Sequence, residues 1–90
     1  MSDITASRTT VATSATAVLT NGGEQVTAWF KNANANTDTF YLGPDDVTTS
    51  TGFELAPGEA VPLTVYADSI VYAISAAGTD DIHVLTSLDI

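Results

Sequence analysis

Ninety residues are enough for one domain, and this chain sets eleven carboxylates against a single arginine, Arg8, and a single lysine, Lys31, for a formal net charge of −9. That charge repels nucleic acid and anionic lipid, which excludes DNA, RNA and a membrane surface as expected partners. With no cysteine, a domain that buries only roughly 60–65% of its unfolded surface has neither a disulfide nor a thiolate zinc site to stabilise it, and association with other chains is the route left.

Fifteen threonines and thirteen alanines, with scattered valine and isoleucine, fit pleated strands better than helix. No window approaches the roughly 18 apolar residues of a membrane span, and no basic start leads into an apolar run as in a signal peptide. In residues 1–20, Val11, Thr13, Ala15, Ala17 and Leu19 alternate. That segment is either a first strand with a frayed end or an extended arm lying on a neighbouring subunit.

Over residues 21–90, turn signals recur at Asn21-Gly22-Gly23, at 32–36, at Gly43-Pro44-Asp45-Asp46, at Ala56-Pro57-Gly58-Glu59 and at Ala77-Gly78-Thr79-Asp80. Such punctuation between short apolar runs predicts an all-β fold: a small antiparallel β-sandwich of about six to eight strands, jelly-roll-like in one version. The alternation from Gln25 to Gly43 predicts a hairpin centred near Ala35. Its core face holds Ala28, Phe30, Phe40 and Leu42, and Trp29 and Tyr41 share the opposite face. Phe53 and Leu55 form a short strand, and Pro57-Gly58 supplies the fixed φ and the positive φ of a type II turn after it. Pro62 lacks a ladder donor, which places the strand Val61–Val65 at a sheet edge. A second hairpin joins 70–75 to 82–88, with Ile70, Tyr72, Ile74, Ile82, Val84 and Leu88 on one face and Val71, Ala73 and Leu85 on the other. Both faces are partly apolar and need cover.

Little in the chain suggests catalysis, and the protein is expected not to be an enzyme and to need no cofactor. His83 is the single histidine, so no nucleophile and base pair is evident, and no glycine-rich phosphate loop or helical metal motif appears. The doublets Asp45-Asp46 and Asp80-Asp81 are either turn residues bonding to nearby backbone or loop ligands for calcium, although the spacing of an EF-hand is missing. Trp29 and Tyr41, side by side on a sheet face, are a second core layer, a subunit contact or a platform for stacking sugar.

The string Tyr41-Leu42-Gly43-Pro44-Asp45-Asp46-Val47, then Gly52-Phe53-Glu54-Leu55 and Pro57-Gly58-Glu59, then Tyr72-Ala73-Ile74-Ser75, Gly78-Thr79 and Val84-Leu85 resembles small virion proteins of tailed bacteriophages. The likeness spans residues 41 to 85, about half of the chain. It implies a structural part of the virion: a capsid decoration (cement) protein made in the host cytoplasm and bound to the major capsid protein on the outside of the head. A carbohydrate-binding or host-attachment module of a fibre or tail is the alternative. The shared residues are turn and core residues, so no functional residue carries over. Self-association is also expected, as a trimer before a dimer, because capsid shells offer three-fold positions. The surfaces expected to take part are Trp29, Tyr41, Val71 and Leu85 with Arg8 and Val11 from the first segment.

Overall fold

The computed structural model describes residues 4–88. Their β-branched, alternating segments form eight strands: β1 (Ile4–Val11), β2 (Thr16–Asn21), β3 (Val26–Asn32), β4 (Phe40–Gly43), β5 (Phe53–Leu55), β6 (Ala60–Val65), β7 (Ser69–Ser75) and β8 (Asp80–Leu88). These build two four-stranded sheets, sheet A in the order β1-β8-β3-β6 and sheet B in the order β2-β7-β4-β5. Every ladder is antiparallel, and β1 pairs with β8, β2 with β7, β3 with β6 and β4 with β5. The chain is thus one long antiparallel ribbon rolled over on itself, the arrangement of a β-sandwich of the jelly-roll type. Of residues 1–20, read as an arm or a first strand, residues 1–3 lie outside the described residues and the rest form not one strand but β1 and most of β2, one edge strand of each sheet.

Inward-facing residues of both sheets meet in one core that contains Val11, Ala28, Phe30, Phe40, Leu55 and Ile82, each at most 2% exposed. Ala28, Phe30, Phe40 and Leu42 all point inward as the alternation predicts, but not as members of one hairpin. β3 and β4 lie in opposite sheets, so the expected ladder centred near Ala35 does not exist. The connection from 33 to 39 is shaped by side chains instead. Asn32 Nδ2 donates to the carbonyls of Asp38 (2.8 Å) and Leu55 (2.9 Å), and Asn36 Nδ2 donates to Asn32 Oδ1 and to the Asp81 carbonyl, both at 2.8 Å. Those bonds satisfy buried polar groups that a hairpin ladder would otherwise have served.

The second expected hairpin is also corrected, since β7 belongs to sheet B and β8 to sheet A. The faces of β7 differ from expectation too: Val71, Ala73 and Ser75 are buried, while Ile70 is exposed and Tyr72 and Ile74 are half-buried. The neighbouring strand explains this. On the inner face Phe40 lies opposite Ser75 and Leu42 opposite Ala73, and a large residue on one strand leaves room only for a small one on the next.

One edge-strand assignment and one turn assignment agree with the structure. β6, with Pro62, is the outermost strand of sheet A. At Ala56–Glu59 the Glu59 N–H donates to the Ala56 carbonyl at 2.9 Å, and Gly58 has φ +88°, as a type II turn requires. This turn carries the chain from sheet B to sheet A rather than between paired strands. Opposite it in the fold, the loop after β4 folds back on sheet B. Val47 is buried against Gly43, and Gly52 lies so close to Tyr41 that a Cβ there would sit 2.5 Å from the Tyr41 Cβ.

Candidate functional site

Two surfaces are candidates for function. The first is a mouth between the edge strands β5 and β6. Phe53 pairs with Leu42 and Leu63 with Ala28, so both occupy inward register positions, yet they are 60% and 46% exposed. The sandwich is therefore open on this side. The opening, about 550 Å³, is lined by Leu42, Pro44, Phe53, Val61, Leu63 and Ile70, and its walls are almost wholly apolar.

The second surface is the outer face of sheet A. Register places Arg8 opposite His83 and His83 opposite Lys31, so the arginine, the histidine and the lysine of the chain stand in one row across β1, β8 and β3. The adjoining row is Ala6, Leu85, Trp29 and Pro62, in which Trp29 is 47% and Leu85 46% exposed. Between the rows runs a shallow groove of about 480 Å³, and a smaller one lies on the far side of the Trp29 and Leu85 pair. Lys31 Nζ donates to the Gly58 carbonyl at 3.2 Å. Among the described residues no ion pair joins Arg8, His83 or Lys31 to a carboxylate. Asp81, the next outward residue along β8, accepts from Thr10 Oγ1 at 2.8 Å, and Glu59, beside Ala60, accepts from the Ala56 N–H at 2.7 Å.

The residues expected to form an interface separate into three groups. Arg8, Trp29 and Leu85 come together on the outer face of sheet A. Tyr41 lies on the outer face of sheet B, partly covered by the loop at Gly52. The expected pair of Trp29 and Tyr41 on one face is thus corrected, because the two rings lie on different sheets. Val11 and Val71 are 0% and 8% exposed and belong to this chain's own core, and Val71 also lines the apolar mouth. His83, which local sequence leaves as a half-exposed strand histidine or a ligand or base, is half-buried on β8. Its position between the two other basic side chains follows from pairing across some 75 residues of sequence, which no local pattern reveals.

The acidic doublets behave differently from one another. Asp80 Oδ2 accepts the backbone N–H groups of Thr37 and Asp38 at 3.1 and 3.2 Å, so it ties the loop 33–39 to the start of β8. Asp45 and Asp46 are exposed at the tip of a turn closed by the Val47 N–H on the Pro44 carbonyl at 3.0 Å. Among the described residues no three His, Asp or Glu side chains come together as a metal site, and no helix is long and apolar enough to cross a membrane.

Fold and surfaces together define a small acidic jelly-roll domain with an open apolar mouth and one basic face. No family model, no curated protein and no solved structure matches the chain.

Proposed function

We propose that the protein is a structural virion component, a capsid decoration protein that binds the major capsid protein on the outside of a tailed-phage head. The observation that carries this reading is the apolar mouth between β5 and β6. Phe53 and Leu63 occupy core register positions but are 60% and 46% exposed, and an apolar opening that the chain's own side chains leave uncovered is a surface that a protein partner can cover. The resemblance of residues 41–85 to small virion proteins supports the same role, and jelly rolls recur in viral shells, although fold alone does not fix function. The mechanism is linkage: each bound copy favours the assembled shell, by about 2.7 kcal/mol per site when free protein stands at a hundred times its Kd.

Co-sedimentation with capsids stripped of accessory proteins tests the proposal. Wild type should pellet with the shells and delay their thermal opening. Phe53→Glu and Leu63→Glu, at positions 60% and 46% exposed and with circular dichroism verifying that each variant is folded, should stay in the supernatant. Equal pelleting of both variants would remove the mouth as the docking surface. Failure of wild type to bind any shell, together with glycan binding that depends on Trp29, would favour the attachment module instead.

A further inference from the structure

The basic row on sheet A leaves both permanent cations of the described residues without an acidic partner. Arg8 and Lys31 flank His83 across β8, although a chain with eleven carboxylates has ample means to pair each cation with an acid. Here Arg8, His83 and Lys31 are neighbours instead, with Trp29 and Leu85 exposed beside them. An occupant bearing carboxylates next to an apolar group would neutralise the row and cover the ring.

The chain itself carries such an occupant. Pro44, Asp45 and Asp46 are all exposed, and the turn that presents them is rigid: the Val47 N–H closes it, and Val47, 3% exposed, is packed against Gly43. Two carboxylates beside a proline ring match two permanent cations beside an indole. The turn follows β4 of sheet B, whereas the row lies on the outer face of sheet A, so one molecule cannot fill its own site.

We propose that the Asp45-Asp46 turn of one copy docks on the Arg8–His83–Lys31 row of a second copy, with Pro44 against Trp29. The contact joins two different surfaces, so it is heterologous, and such contacts close into rings when the rotation between copies allows. A ring of three would be the trimer expected from the resemblance to virion proteins. The net charge of −9 per copy opposes approach, but that repulsion acts at long range and is screened beyond roughly 8–10 Å at ordinary ionic strength, while ion pairs in contact persist.

Sedimentation equilibrium over a concentration series decides the matter. Wild type should associate. Asp45→Lys/Asp46→Lys and Arg8→Glu/Lys31→Glu should each weaken association about tenfold or more, and an equimolar mixture of the two should associate again as alternating pairs and even-numbered assemblies, because each reversed surface then meets its complement, whereas a ring of three must keep one mismatched contact. The first variant separates this contact from bulk electrostatics: each substitution adds two positive charges, which lowers the net charge from −9 to −5. General repulsion predicts tighter association for it, and the docked turn predicts weaker. Asp45→Asn/Asp46→Asn, which only removes the charges, should lie between, and circular dichroism verifies that each variant is folded. A wild type that stays monomeric throughout, a lysine variant that associates as well as wild type or better, or a mixture that fails to associate would overturn the proposal. Shell binding is read separately by co-sedimentation, and the substituted residues Arg8, Lys31, Asp45 and Asp46 do not line the mouth, although Pro44 does. A monomer that decorates capsids would sink the head-to-tail contact alone, and an oligomer that ignores them would sink only the capsid role.

Discussion

The Nδ2 of Asn32 donates to the carbonyl oxygen of Leu55 at 2.9 Å, a buried bond from β3 in sheet A to the end of β5 in sheet B. Asn32 is 0% exposed. The same nitrogen serves the Asp38 carbonyl, and Oδ1 accepts from Asn36. One side chain therefore holds the two sheets and the loop 33–39 in register. Asn32→Ala leaves buried carbonyls without donors, at about 1–3 kcal/mol for each such group. A loss of about 2–4 kcal/mol is expected, read as a fall in Tm of roughly 10–25 °C for a domain of this size.

Glycine substitutions should divide sharply. A methyl at Gly52 would lie 2.5 Å from the Tyr41 Cβ and 2.8 Å from Val47 Cγ2, whereas nothing lies within 4 Å of one at Gly22. Gly52→Ala should therefore cost about 1–3 kcal/mol through overpacking. Gly22, whose φ is not positive, should accept alanine with a gain of about 0.4–1 kcal/mol by restricting the unfolded chain. Urea melts of the two variants check both signs.

Phe30 and Trp29 are sequence neighbours with opposite fates. Phe30 is 0% exposed and Trp29 47%. Phe30→Ala should remove about 3–5 kcal/mol, while Trp29→Ala should cost far less and act on association instead. Trp29 is the only tryptophan, so its emission should shift to the blue as copies associate, and that shift should vanish in the Asp45→Lys/Asp46→Lys variant.

Salt should raise both stability and association. The chain carries −9, and self-repulsion falls as the screening length shrinks from about 10 Å at 0.1 M to about 3 Å at 1 M. Light scattering across a sodium chloride series, run beside thermal melts, should show the average mass and Tm rising together. A mass that falls steadily with salt would mean that contact pairs outweigh the net repulsion.

Local sequence determined the class of fold, most strand positions and the inward faces of β3 and β4, because period-two alternation and turn chemistry are properties of neighbouring residues. Pro62 at a sheet edge and the type II turn at Pro57-Gly58 follow from backbone constraints that need no partner. What the tertiary structure decided was pairing. Each apolar segment is compatible with either sheet, so nothing local says that β3 leaves β4 for β6 and β8, or that Val71 and Ala73 rather than Ile70 and Tyr72 enter the core. That second choice depends on the space left by Phe40 and Leu42 on the adjacent strand. The basic row is the clearest case: Arg8, Lys31 and His83 are each an ordinary outward residue in sequence, and only the long-range register of β1, β8 and β3 sets them side by side.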